Sequence, residues 1–356
     1  MCTLKPYDTC LIWKYKLMKR ITIGTRASKL AMIQTHEVIT RLQKHWPDIE
    51  ITIEQVRTRG DHILNVPLTQ IGGDGVFVTE IEHALRAGHI DLAVHSLKDL
   101  PTTQPGDLRI VVIGPREDVR DVIVWNDAVH SSLRLNDIAW GNQETASPSQ
   151  GHPLRIGTCS LRRTAQILAQ WPDAQILPLR GNVDTRLRKL DAGDYDGIVL
   201  AAAGLHRLEM QDRLAGRITY LPIDVMIPAP GQAALGLELR DQPEMHTFVA
   251  PLEDLAATAA TSAERAFMRR LGAGCYLPVA AYGEIVDEML TVQGLVISLD
   301  GRRQVRVRQS ISWRPGANIE LAEQQGIRLA EQALLQGADE IIHAIDATKV
   351  QERSHV

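Results

Sequence analysis

From residue 20 onward, short apolar runs alternate with stretches whose apolar residues recur at helical spacing. That alternation restricts the chain to α/β architectures built on mostly parallel sheets. A strand is expected over residues 20–24, after which Ala31, Val38, Ile39, Leu42 and Trp46 share one helix face. Residues 49–57 return as a strand, and Val78, Ile81 and Leu85 mark a helix that Gly88 ends. The run IDLAVHS at 90–96 is apolar almost throughout, the pattern of a strand buried on both faces. A second unit repeats the scheme with strands at 121–125, 154–157, 175–179 and 197–201, and a strand at 235–239 returns to the first sheet.

Beyond residue 254 the pattern changes to a helix (261–271), two alternating strands (290–298 and 304–312) and a long helix (319–336). The expected fold is α/β with three domains: two similar doubly wound domains around a cleft, and a smaller α+β C-terminal domain. Domain one takes residues 20–115 and 226–250, domain two 116–225, and domain three 254–350. Residues 130–152, rich in Ser, Asn, Gln and Gly, read as a surface insertion loop. Residues 1–19 read as a disordered extension, with Met18 as an alternative start. TIGTRASKL (22–30) and RIGTCSLRR (155–163) share Ile-Gly-Thr followed closely by Ser, which suggests duplicated halves.

The chain has 356 residues, 44% of them hydrophobic, enough for a large core. Its formal net charge of −4 argues against a general nucleic-acid binder, so any basic site must be local. Cys2, Cys10, Cys159 and Cys275 form no Cys-x-x-Cys pair, and no histidine spacing fits zinc; neither a disulfide framework nor a metal site is expected. No apolar run reaches the ~18 residues that span a bilayer, and the first residues lack the features of a signal peptide. The expectation is a cytoplasmic protein with no membrane partner.

Ligands bind open α/β sheets at the carboxyl ends of strands, so residues just after the strands matter most. In GTCSLRR (157–163) a strand turns into a helix, and free N–H groups there join Thr158, Ser160, Arg162 and Arg163 as donors for an anion. The alternative is a Ser160 cap on a helix with solvated arginines. Lys98 and Asp99 stand at another strand end, either as a solvated pair or as working groups. Arg180, Arg186 and Arg207 follow further strands; each alone reads as surface charge, but guanidiniums converging on one cleft predict a ligand with several carboxylates. Cys275, in the loop LGAGCYLP, is either a small buried residue or a nucleophile or attachment point.

In order along residues 20–345, the segments IGTRAS, TRGD, VHSLKDLP, GTCSLRR, LRGNVDTRL, AAAGLHRL, PAPGQ, AERAFMRRL and GAGCYLPV resemble the porphobilinogen deaminase (hydroxymethylbilane synthase) family. The resemblance implies a dipyrromethane cofactor on Cys275 through a thioether, held by Lys98, Thr158, Ser160, Arg162 and Arg163. It implies that Arg26, Ser28, Arg180 and Arg186 hold the incoming porphobilinogen, with Arg207 close by. Asp99 matches the family's catalytic carboxylate, which would stabilise the cationic azafulvene left when ammonia departs and help move protons. Four additions and one hydrolytic release would yield hydroxymethylbilane, the precursor of haem and related pigments. The implied protein is a monomer whose two larger domains are periplasmic-binding-protein-like.

Asp74 and Thr79 stand where the family usually has lysine, in an expected lid loop, and Ala233 replaces a usual glycine. The competing class is a solute-binding or ligand-sensing protein, since paired α/β domains around an anion cleft describe those too. Such a protein would normally be exported and has no use for a cysteine facing the cleft.

Overall fold

Ile21 and Ile23 of β1 (Arg20–Thr25) are fully buried in one core, and residues 26–28 then turn the chain into helix α1 (Lys29–His45). Ser28 caps that helix by accepting from Ala31 N at 3.2 Å. The same plan recurs where, after the one-turn helix α3 (Asp127–His130), β6 (Arg155–Gly157) feeds α4 (Leu161–Gln170), capped by Ser160. The computed structural model describes residues 19–57, 78–130, 152–274, 277–314 and 316–354. The expected extension up to residue 18, most of the insertion loop, Asp74 and Cys275 lie outside the described residues.

Sheet one contains β1, β2 (Glu50–Gln55), β3 (Leu92–Ser96), β4 (Leu108–Ile113) and β10 (Leu235–Arg240), in the order β2-β1-β3-β10-β4. Helix α1 and helix α7 (Pro243–Val249) cover one face, and α2 (Thr79–Arg86) inserts Ile81 and Leu85 against the other. Sheet two contains β5 (Asp121–Trp125), β6, β7 (Gln175–Leu177), β8 (Gly197–Ala201) and β9 (Ile218–Tyr220), in the order β7-β6-β8-β5-β9. Along β5, Val122 and Val124 pack toward α5 (Val183–Asp191) and α6 (Ala202–Arg207), while Ile123 and Trp125 pack toward α4. Period-two alternation therefore buries every side chain of this strand, which is why its sequence is apolar throughout after Asp121.

Each sheet holds one antiparallel strand inside an otherwise parallel set, and that strand is the first to arrive from the other sheet. The chain leaves sheet one after β4 and enters sheet two as β5; after β9 it returns to sheet one as β10. Two crossovers, residues 114–120 and 221–234, thus lie side by side between the sheets. The second holds Ala233 with φ 72°, a left-handed conformation that favours glycine.

The third unit is an antiparallel meander of β11 (Val279–Val286), β12 (Met289–Ile297) and β13 (Gln304–Ser312), covered by α8 (Leu255–Arg270), α9 (Ile319–Leu335) and α10 (Ala338–Ser354). Helices α8 and α9 approach closely at Gly326, where an added Cβ would lie 2.0 Å from Ala263 O. The fold is α/β with three domains. Glu264 of α8, fully buried, joins all three regions: it pairs with Arg116 of the first crossover at 2.7 Å and accepts from Gly231 N and Gly283 N, each at 2.7 Å.

Helix α8 begins at Leu255, earlier than the expected 261, because Asp254 Oδ1 accepts from Ala257 N at 2.9 Å and the alanine-rich first turns show little periodicity. The strands β4, β9 and β11 and the helices α3, α6, α7 and α10 were not expected. β9 is only three residues long and exists through its pairing with β5; β11 is rich in small residues that hide its alternation.

Candidate anion-binding cleft

The carboxyl ends of strands from both sheets meet across one cleft, as strand geometry in open α/β sheets requires. From sheet one come Arg26 and Ser28 after β1, and Lys98 and Asp99 in the short 3-10 turn (Leu97–Asp99) after β3. Gln34 of α1 donates to Ser96 Oγ at 2.9 Å, tying the helix to the end of β3. From sheet two come Arg163, Arg186 and Arg207, on α4, α5 and α6. They enclose a cavity of about 240 Å³ whose charged lining is mainly cationic, with Asp99 and Asp184 as its carboxylates.

The structure therefore brings together Arg26, Ser28, Lys98, Asp99, Arg163, Arg186 and Arg207. It does not bring Thr158, Ser160, Arg162 or Arg180 into the cavity lining. Thr158 is buried and its Oγ1 accepts from Ser160 N at 3.1 Å, so this pair shapes the turn before α4. Arg162 lies beneath the cleft, 2.7 Å from Asp121 Oδ2 and donating to Ile227 O at 2.7 Å. Cys275 lies outside the described residues; Gly274, the last described residue before it, follows the end of α8.

Arg163 lines the cavity while all three of its guanidinium nitrogens donate to protein, Nε and Nη2 to Asp121 Oδ1 at 3.2 and 2.7 Å and Nη1 to Val199 O at 2.9 Å, which leaves a second hydrogen on each terminal nitrogen for a ligand. Burial alone would raise the Asp121 carboxyl, but the guanidiniums of Arg162 and Arg163 hold it well below the usual carboxylate range. Arg186 donates through Nε to Gly181 O at 2.7 Å, where Gly181 has φ 110°. Its guanidinium is pushed down to about 10, first by burial and then by Arg163. Arg207 is braced by Glu37 at 3.4 Å and by Ala233 O at 3.0 Å. Lys98 donates to Gln232 Oε1 at 3.1 Å, and its ammonium is pushed down to about 8 by burial and by Arg163, against the pull of Asp99 and Asp121.

Such a set favours anions strongly. Cations stripped of water and crowded together regain favourable energy when a carboxylate arrives between them. A molecule carrying several carboxylates fits this donor set; a neutral ligand does not. Among the described residues there is no cluster of side chains suited to a metal ion, and no helix is long and apolar enough to cross a membrane.

Sequence reasoning missed Gln34, Asp121 and Gln232. Asp121 carried a signal: an acidic residue opening an otherwise apolar strand is costly unless it is paired. Gln232 stands in the segment PAPGQ, but its role could not be read there because it exists only where the crossovers meet.

Residues 21–247 match the family model described as "Porphobilinogen deaminase, dipyromethane cofactor binding domain", and residues 258–335 match "Porphobilinogen deaminase, C-terminal domain". A porphobilinogen deaminase of Syntrophotalea carbinolica is 45% identical over 92% of this chain and 96% of that protein. Those of Roseiflexus castenholzii and Nitrosomonas europaea are 45% and 42% identical, over 89% and 92% of this chain and 99% and 98% of theirs.

Proposed function

We infer, for a chain that belongs to the porphobilinogen deaminase family, that it condenses four porphobilinogen molecules head to tail and releases hydroxymethylbilane. The observation that carries this reading is the ring of cations around Asp99 in the cleft. Porphobilinogen and the growing chain bear acetate and propionate groups, and each matches a guanidinium or ammonium.

The family's dipyrromethane cofactor is assigned to Cys275, and when bound it supplies the pyrrole end to which substrate is added. Lys98 and Arg163 are the described groups suited to hold its carboxylates. Thr158, Ser160 and Arg162 support them from below: the Thr158-Ser160 turn starts α4, and Arg162 shares Asp121 with Arg163. Arg26, Ser28, Arg186 and Arg207 are assigned to the incoming substrate, together with Arg180, whose charge acts on the Arg186 guanidinium. Asp99 is exposed at the end of β3, where its carboxylate faces the cavity. A fixed negative charge there stabilises the cation formed as ammonia leaves, and the same oxygen can accept the proton released when the new ring rearomatises.

Three domains are assigned, 20–115 with 226–250, 116–225 and 254–350, a division supported by which strands share a sheet. The monomeric state and cytoplasmic location belong to the same reading.

Intact mass of the purified chain and of Cys275→Ser, followed by Ehrlich's reagent, tests it. A mass excess of two linked pyrrole units that is coloured by the reagent and absent from Cys275→Ser is expected. A bare-chain mass in a host that supplies porphobilinogen would return the cleft to a simple carboxylate-binding role.

A further inference from the structure

One side chain of the second crossover touches both halves of the site. Gln232 is fully buried. Its Nε2 donates to Val119 O at 2.8 Å and to Asp121 Oδ1 at 3.0 Å, its Oε1 accepts from Lys98 Nζ at 3.1 Å, and its backbone carbonyl accepts from Arg116 Nε at 2.9 Å. Chemistry fixes which end of the amide is which. An ammonium only donates and a carboxylate only accepts, so a flipped amide would set donor against donor and acceptor against acceptor.

The arrangement separates two charges that would otherwise collapse together. Asp121 already serves two guanidiniums. A direct bond from Lys98 to the same carboxylate would draw the ammonium under the cleft, where it could not meet a ligand. By standing between them, the amide satisfies the carboxylate on one side and keeps the ammonium at the cavity wall on the other.

We propose that Gln232 is a positioning residue that binds Lys98 of sheet one and the Asp121–Arg163 pair of sheet two into one hydrogen-bonded unit, setting the spacing of the groups that receive the cofactor's carboxylates. This rests on the assignment of Lys98 to the cofactor. The charged groups around Lys98 are Arg162, Arg163, Asp99 and Asp121, and Gln232 is the neutral link among them.

The test follows cofactor assembly by protein mass. Full-length protein made without porphobilinogen is incubated with it, and the fraction gaining two pyrrole units is timed for Gln232→Met, Lys98→Met and the double variant, with thermal midpoints checking that each folds. Loss of the two charge-assisted hydrogen bonds of the amide should slow loading by Gln232→Met about tenfold or more, and the double variant should load no more slowly than Lys98→Met. Additive effects, or loading by Gln232→Met at the normal rate while Lys98→Met is impaired, would overturn the proposal. Normal loading by Lys98→Met would instead overturn the assignment of Lys98. Gln232→Glu gives a second reading: its protonated carboxyl can donate to Asp121 and accept from Lys98, so loading should recover as pH falls and fail as pH rises. A response to Gln232→Glu that ignores pH counts against the proposal.

Discussion

Asp121 and Arg163 form a buried, two-point ion pair: Oδ1 of the carboxylate accepts from Nη2 at 2.7 Å and from Nε at 3.2 Å. With Arg162 on the other oxygen, the carboxylate neutralises two guanidiniums that the fold has taken out of water. Asp121→Asn removes that charge and leaves both cations buried without it, so unfolding by urea should show a loss of roughly 3–5 kcal/mol. The sign of the pH dependence follows. A carboxyl held low in the folded state stabilises the fold above its unfolded value of about 3.9, and that contribution is lost as pH falls toward its folded value. Acid unfolding of the parent should begin below about pH 4, and Asp121→Asn should lack this component.

Asp99 is exposed and contributes little to packing. Asp99→Asn keeps shape and removes charge, so turnover of porphobilinogen should fall about 10²–10³-fold with the thermal midpoint unchanged. A variant that retains normal turnover would remove Asp99 from the catalytic role.

Lys98, pushed down to about 8, holds an anion only when protonated. Binding of anions by the cleft should therefore weaken as pH rises through this value, and Lys98→Met should lose that step while binding weakly throughout. The effect on stability has the opposite direction. A lysine whose folded value lies below its unfolded value of about 10.4 binds fewer protons when folded, so between the two values its contribution to stability rises with pH. Loading and thermal midpoint measured over the same pH series separate the two.

Arg186 combines a fixed anchor on Gly181 O with a guanidinium edge in the cavity. Arg186→Lys keeps the charge and loses the planar fork, so KM should rise about tenfold or more with a smaller change in kcat. Steady-state kinetics on cofactor-loaded protein reads this directly.

Ala233 sits at φ 72° while its neighbour Ala234, also buried, has no such strain. Relief of about 1–2 kcal/mol of left-handed strain offsets the loss of a methyl worth about 0.8 kcal/mol and the added freedom of glycine in the unfolded chain, about 0.5–1 kcal/mol, so Ala233→Gly should leave the thermal midpoint nearly unchanged. Ala234→Gly has no strain to relieve and should lower stability by about 1–2 kcal/mol.

The alternation from residue 20 determined the α/β class by itself, because period-two and helical burial patterns are local properties of the chain. It also located the positions that matter: strands β5, β8 and β13 lie where the apolar runs place them, and Lys98, Asp99 and the arginines follow strand ends in sequence as they do in space. What the chain could not reveal locally was which of those groups face the ligand. Arg162 and Arg163 are adjacent in sequence, yet one lies beneath the cleft and the other lines it, because a helix turns by about 100° per residue, so the two guanidiniums reach opposite oxygens of Asp121 from different directions, Arg162 passing on to Ile227 O and Arg163 to Val199 O. The link from Lys98 through Gln232 to Asp121 joins the two sheets through the second crossover. Only the tertiary fold could decide it, since a hydrogen bond depends on a separation of about 3 Å between atoms that the sequence holds far apart.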